Sequence, residues 1–133
     1  MPTQATDQVM MAPAVDPTNR PFFEAAREGR LLVGRCLDTG KHFFYPRGVS
    51  PFTLSTNVEL VQASGRGTIY SVTVMRGPAP HAVAYVELEE GPRIFTNIVD
   101  CDLDMLRIGQ PVTLTFRPAE DGQPMPVFRP SGA

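Results

Sequence analysis

Four polar side chains occupy two short repeats whose spacing could support metal chemistry. Cys36 is followed three positions later by Thr39, and Ser50 is followed by Thr53 at the same spacing. Metal-binding knuckles place two cysteines at this spacing, and a structural zinc site needs Cys or His at all of its tetrahedral positions. Because only Cys36 brings a thiolate to these two knuckles, residues 36–39 and 50–53, the sequence predicts a degenerate site without bound zinc.

Candidate catalytic groups are few and scattered along the chain. His42 and His81 lie in different segments, and no Ser-His-Asp order surrounds them. Cys101 lies between Asp100 and Asp102, whose negative charges raise the pKa of a thiol and so lower its reactivity. These patterns favour a non-catalytic protein over an enzyme.

Length, composition and charge restrict the class of protein. A chain of 133 residues with 42% hydrophobic residues can fill one modest core, and its 14 prolines and 11 glycines predict many turns. The net charge of -2 argues against binding to nucleic acid or to an anionic membrane by bulk attraction. Residues 1–15 lack the basic and apolar parts of a leader, and the two cysteines are too few for a disulfide framework. We expect a soluble, reduced, cytoplasmic protein.

The N-terminal part predicts a tail and a helix. Residues 1–18 show no periodicity, which is typical of a mobile, disordered tail. Helix signals follow, with Thr18 or Asn19 as the candidate cap and Gly29 just past the end. Two turns of helix are not stable alone in water, so the apolar side chains must dock on this chain or on a partner. Phe22 and Phe23 are therefore candidate partner-binding residues.

A small hairpin module is predicted next. Leu31–Cys36 and His42–Pro46 have the composition of short strands around a turn, and the helix and hairpin together form a module over residues 19–56. Modules of this size are usually held by a metal. Three phenylalanines near the knuckles either replace the metal as a small core or form a partner surface, with Phe52 a candidate for partner binding: Phe43, Phe44 and Phe52.

The remaining residues, 57–130, alternate as strands of one sheet. Val58–Gln62 leads into a strand with Tyr70, Val72 and Val74 on one face, which begins at a glycine pair that permits a bend or bulge. Further strands are predicted at residues 81–89, 93–99, 111–116 and 125–130. A short capped helix is predicted at residues 102–109, and the proline-rich last strand is predicted to lie at an edge. This order is that of a five-stranded OB-fold barrel. The fold class is therefore mainly β, with a short helix and a degenerate zinc-ribbon-like hairpin before the barrel.

Several motifs occur in the order seen in a known family. They are Pro21–Leu31, Arg35–Cys36, Tyr45–Arg47, Ser64–Ser71 and Arg107–Val112. From about Pro21 to Pro130 the chain resembles the rubredoxin-like zinc-ribbon plus OB-fold family known as domain of unknown function thirty-five. The resemblance implies a small companion subunit of a thiolase-like or lipid-transfer-type enzyme that acts on acyl-CoA thioesters. Zinc-binding members of that family have cysteines where this chain has Thr39, Ser50 and Thr53.

The resemblance also suggests where an acyl-CoA would be recognised. Arginines in loops or bends can bind the phosphates of CoA, and Arg47, Arg66 and Arg76 occupy such positions. The alternative, that each is a solvated surface arginine, stays open. Tyr70 either stacks on the adenine or belongs to the barrel core, and the same two alternatives hold for Phe95 and Asn97.

Three functions remain under consideration. The first is a non-catalytic accessory subunit, the second an independent acyl-CoA-binding protein, and the third a single-stranded nucleic-acid-binding OB-fold. The third requires a basic face with exposed aromatic residues on adjacent strands, and the acidic balance of the chain counts against it. The sequence leaves open the substrate, the partner, direct contact with CoA and the formation of homo-oligomers.

Overall fold

A computed structural model describes residues 3–6 and 10–131 of the chain. Within these residues the elements are α1 (Arg20–Arg27), β1 (Leu32–Cys36), β2 (His42–Phe43), β3 (Val58–Gln62), β4 (Arg66–Met75), β5 (His81–Leu88), β6 (Arg93–Ile98), a 3-10 helix (Leu103–Met105), β7 (Pro111–Pro118) and β8 (Pro124–Pro130). The prediction of a mainly β protein with one short α-helix is confirmed. No helix among the described residues is long and apolar enough to cross a membrane.

The first three strands form an antiparallel sheet, here called the ribbon sheet, in the order β2-β1-β3. The placement of Val58–Gln62 at the start of the barrel was wrong, because this strand pairs with β1 along its whole length. The mostly buried β1 needs a neighbour on each edge to satisfy its backbone. At the centre of β1, a Cβ on Gly34 would lie 2.3 Å from the Phe43 ring. Glycine at this position therefore allows Phe43 to pack directly across the sheet.

The other five strands close into a barrel in the order β4-β5-β6-β8-β7, which confirms the predicted OB-fold architecture. The edge position predicted for the last strand was wrong, because β8 pairs with β7 along its length and meets β6 in parallel at Ile98 and Phe128. On the β6 side, Val99 N donates to Phe128 O at 2.8 Å. This contact uses a carbonyl of β8, so the prolines of that strand lose no donor there.

A β-bulge in β4 changes which side chains face the barrel interior. Ile69 opposes Val86, but the next paired residue, Ser71, opposes Tyr85, so Tyr70 is the extra residue. The prediction that Tyr70 shares a face with the two valines that follow it was wrong, because an extra residue shifts the alternation by one position. Tyr70 is 49% exposed on the outside of the barrel.

The apolar core is continuous from α1 and β1 into the barrel. Phe128, Leu31 and Ile69 are the largest of its members that are completely buried, each at most 1% exposed. Gln123 joins the two parts, since its buried side-chain Nε2 donates to Phe23 O at 3.0 Å. The helix α1 thus docks on its own chain, which is one of the two possibilities considered from the sequence, the other being a partner.

The described part of the N-terminal segment lies against the barrel. Leu103 N donates to Thr3 O at 2.7 Å, and Glu120 N donates to Met10 O at 2.8 Å. These contacts differ from the mobile tail predicted for residues 1–18. Residues 1, 2 and 7–9 belong to that predicted tail and lie outside the described residues.

Candidate functional site

The structure brings the predicted knuckle positions together. Cys36 Sγ lies 4.0 Å from Thr53 Oγ1, and both Cys36 and Ser50 are fully buried. Hydrogen bonds from the Ser50 and Thr39 hydroxyls lower the pKa of the Cys36 thiol to about 7, because they stabilise the thiolate. The knuckles therefore surround one polarised sulfur with hydroxyl groups.

A carboxylate that the sequence analysis did not single out connects the two knuckles. Asp38 Oδ2 accepts from Thr53 Oγ1 at 2.9 Å and from Ser55 Oγ at 2.5 Å, while its Oδ1 accepts from Asn57 Nδ2 at 2.9 Å. These three donors, with Asn57 the strongest, lower the pKa of Asp38. The sequence signal for these contacts was the polar residue at every second position before β3, at Thr53, Ser55 and Asn57. We refer to these four side chains as the Asp38 network.

The arginines predicted to bind phosphate do not converge on one site. Arg66 makes a bidentate ion pair with Glu89 at 2.6 and 2.9 Å, and Arg76 pairs with Asp104 at 2.9 Å. Arg66 and Arg76 lie at opposite ends of β4, roughly 30 Å apart for a strand of this length. Arg47 lies over the Phe43 ring at 5.9 Å and forms no ion pair within the described residues.

The residues predicted to bind a partner differ in how much surface they present. Phe22 is only 6% exposed, and its ring meets the rings of Phe23 and Phe44 edge to face, at 5.1 and 5.7 Å. Phe52 is 46% exposed and packs against the buried Phe43. Phe22 is thus a core residue with little surface to offer, while Phe23 and Phe52 reach the surface.

A row of outward aromatic side chains crosses three adjacent barrel strands. Tyr70 on β4, Tyr85 on β5 and Phe95 on β6 are 49%, 47% and 55% exposed. We call them the barrel aromatic row. Tyr85 and Phe95 are cross-strand partners with ring centroids 5.2 Å apart. Among them the sequence analysis considered Tyr70 and Phe95 but not Tyr85, although Tyr85 lies out of phase with the buried Ala84 and Val86 and was therefore recognisable as an outward residue.

Within the described residues, neither histidine hydrogen-bonds to a cysteine, so no His–Cys pair of the kind that activates a nucleophile is present. His42 lies in the ribbon sheet and His81 begins a barrel strand, where its Nδ1 lies 3.0 Å from Ala79 O. Burial, assisted by Asp100 and Asp102, raises the pKa of the Cys101 thiol to about 11, as the sequence predicted.

Comparisons with known proteins identify the family. Residues 23–50 match the rubredoxin-like zinc ribbon domain of ChsH2, and residues 60–117 match the ChsH2 C-terminal OB-fold domain. A DUF35 domain-containing scaffold protein of Methanothermobacter thermautotrophicus is 40% identical over 102 residues, which are 70% of this chain and 77% of that protein. The chain belongs to the DUF35 family. The family suggested by the motifs is thereby confirmed.

Two further relatives of this DUF35 chain carry the name of an enzyme or of an enzyme subunit. A probable enoyl-CoA hydratase alpha subunit of Thermomonospora curvata is 36% identical over 139 residues, and the match covers 97% of this chain and 44% of that protein. The chain thus spans less than half the length of that relative. A solved chain of an Ltp2-ChsH2(DUF35) aldolase has a TM-score of 0.79 and 37% identity, with 91% of this chain and 100% of that chain covered.

The family match corrects the prediction about zinc. That prediction, based on the degenerate ligands, was that no zinc is expected, and it is contradicted because residues 23–50 match a zinc ribbon family. The donors at the knuckles of this DUF35 chain are one thiol and three hydroxyls, and no three His, Cys, Asp or Glu residues come together in its described part. This set does not fit the thiolate and imidazole ligands of a structural zinc site, so no step of the function below depends on a metal.

Proposed function

We propose that this DUF35 chain is a non-catalytic accessory subunit of a thiolase-like or lipid-transfer-type enzyme, and that it helps to shape or close the acyl-CoA site of that enzyme. The observation that carries the proposal is the likeness, over 91% of this chain, to a solved chain of an Ltp2-ChsH2(DUF35) aldolase. The dispersed histidines and the high pKa of Cys101 support a non-catalytic role.

The contacts made by the chain would be divided between the partner and its ligand. Phe23 and Phe52 are proposed to contact the partner, since both reach the surface. Arg47 is the best of the three arginines for a CoA phosphate, because Arg66 and Arg76 are held by Glu89 and Asp104. To bind a phosphate, the Arg47 guanidinium would need only to move away from the Phe43 ring.

Affinity purification of the tagged chain from its native host at moderate salt tests the proposal, with mass spectrometry of the proteins that accompany it. We expect an acyl-CoA enzyme of the thiolase or lipid-transfer type in near-equal amount. Purification of the chain alone, as a stable species, would contradict the accessory role. Turnover of an acyl-CoA by the purified chain alone would contradict the non-catalytic part.

A nucleic-acid-binding function is the second candidate, and the barrel aromatic row is the observation that favours it. Single-stranded nucleic acid binds OB-folds through aromatic stacking in a positively charged groove. The row supplies the aromatic side chains, but its nearest arginine, Arg93, donates to Glu87 at 3.0 Å. Retention of the chain on single-stranded DNA at low salt would support this function, and we expect no retention.

A further inference from the structure

The barrel aromatic row continues into a groove on the same side of the molecule. Phe95 belongs to both, because it also lines a groove of about 230 Å³ between α1, the segment after β2 and the barrel. Phe23, Phe44, Tyr45 and Met125 line this groove as well, and Tyr45 is 60% exposed. The row and the groove together form one aromatic face, which combines strands of the barrel with the helix and hairpin.

The aromatic face carries no unbalanced charge. Every residue that lines the groove is uncharged. Arg93 lies against the row, with its guanidinium 3.7 Å from the centroid of the Tyr70 ring, and its charge is paired with Glu87. A face of this kind is complementary to an occupant that is itself uncharged at the contact, since a buried unpaired charge is costly.

Two polar side chains of the groove are hydrogen-bonded within the chain itself. Thr96 Oγ1 donates to Pro126 O at 3.2 Å, and Asn97 Nδ2 donates to Ala82 O at 3.1 Å. Small-molecule sites are enclosed and contain a few polar groups directed at the ligand. This groove instead opens onto the exposed aromatic row, so its form favours a macromolecular surface over an enclosed ligand.

The composition of the face is that of the centre of a protein interface. Tyr, Phe, Met and Arg are enriched at such centres, while Lys, Asp and Glu are depleted. Side chains that anchor an interface typically insert into apolar pockets surrounded by aromatic residues. The groove supplies such a pocket, and the row supplies the flat surface beside it.

We propose that the aromatic face is the docking surface for the partner enzyme, which inserts an uncharged apolar side chain into the groove and covers Tyr85 and Phe95. This inference rests on the proposed function and adds to it the face of the barrel that meets the partner. The expected contact is apolar, so its affinity should change by less than about threefold between low and high salt.

The test uses the full chain and the enzyme that co-purifies with it. Phe95→Thr and Tyr85→Thr remove outward rings and keep strand-favouring residues, so the barrel should fold as before. We expect each variant to bind the purified enzyme about tenfold more weakly or worse by biolayer interferometry. Met105→Thr is the matched control, because Met105 is 68% exposed in the 3-10 helix outside the aromatic face, and it should bind like the unchanged chain.

The outcomes separate the docking surface from the function on which it rests. If no acyl-CoA enzyme accompanies the unchanged chain, the proposed function and this inference both fail. If Phe95→Thr and Tyr85→Thr, folded by circular dichroism, retain the enzyme at full affinity, only the docking surface is wrong. Binding of decanoyl-CoA or oligo-dT to the isolated chain that is lost in these variants, with enzyme binding unchanged, would assign the face to that ligand and overturn the inference.

A crosslinking measurement provides a second readout that does not depend on affinity. The photoreactive p-benzoylphenylalanine, placed at Tyr45, should form a crosslink to the enzyme within the complex. The same group at Met105 should give none. Crosslinks from position 105 alone would place the enzyme on another face and contradict the inference.

Discussion

The ribbon sheet and the barrel are stabilised by different kinds of contact. The barrel is closed, and its interior is an apolar core that includes Ile69, Val86 and Phe128. The ribbon sheet has three strands, one of them with only two residues, and its knuckles are connected by the Asp38 network. A module too small for a large core depends on such specific contacts.

This difference teaches where the chain tolerates change. In the barrel, loss of one apolar side chain should affect the whole unit, because the strands close on one another. In the ribbon sheet, loss of a contact at the knuckles should open them locally, since few apolar side chains lie in the knuckles themselves. The predictions below test this contrast.

The largest effect is expected in the barrel core. Phe128 is fully buried where β8 meets β6 and β7. Phe128→Ala should lower the free energy of unfolding by about 3–5 kcal/mol, measured by chemical denaturation, because it leaves a cavity. The exposed Tyr85→Ala serves as the control and should cost much less. A loss of under about 1 kcal/mol for Phe128→Ala would contradict the contrast.

A smaller loss is expected in the ribbon sheet. Gly34→Ala places a Cβ against the Phe43 ring and should cost about 1–3 kcal/mol, because one of the two groups must shift. Amide hydrogen exchange should increase in β1 and β2 and stay unchanged in the barrel. Gly48→Ala is the matched control, since nothing lies within 4 Å of the Cβ that this substitution would add. Equal exchange in both sheets would show that they unfold as one unit.

The hydrogen bond that connects α1 to the barrel should contribute less to the free energy of unfolding than either of these contacts. Gln123→Ala removes the side-chain donor to the carbonyl of Phe23 and should cost about 1–2 kcal/mol. Faster amide exchange in α1, with the barrel strands protected as before, is the expected signature. Unchanged exchange in α1 would mean that its apolar side chains alone hold it in place.

The smallest expected effect is a pH dependence confined to the knuckles. The pKa of Asp38 is lowered in the folded state, so its stabilisation is complete above the unfolded value of about 3.9 and is lost as pH falls through the folded pKa. Exchange at residues 50–57 should therefore increase below about pH 4, while the barrel stays protected. Asp38→Asn should abolish this dependence. An acid response that persists in Asp38→Asn would assign it to another carboxylate.

The sequence predicted the elements more completely than their arrangement. Strand alternation and turn residues located the helix, the hairpin and the barrel strands, because these signals are local. The sequence assigned Val58–Gln62 to the wrong sheet, since its pairing with β1 depends on contacts between segments distant in sequence. The bulge at Tyr70 was missed for the same reason, because it is defined only by the register with β5.

The candidate site was predicted less well than the fold. The spacing of the knuckles identified Cys36 and its three hydroxyl neighbours, but their chemistry led to the wrong conclusion about zinc for a chain of this family. The arginines looked free in sequence because their acidic partners Glu89 and Asp104 are 23 and 28 residues away. Tyr85 and Phe95 were not recognised as one surface, since they meet only across two strands.

By itself, the sequence determined the fold class, the order of the elements, the family and the direction of the pKa shift at Cys101. Each of these depends on residue types, local spacing or neighbours in the chain. The tertiary structure alone decided that β3 joins the ribbon sheet, that Asp38 connects the knuckles and that the aromatic residues form one face. The physical reason is that strand register and side-chain contact arise from packing between segments far apart in the chain, which local patterns do not encode.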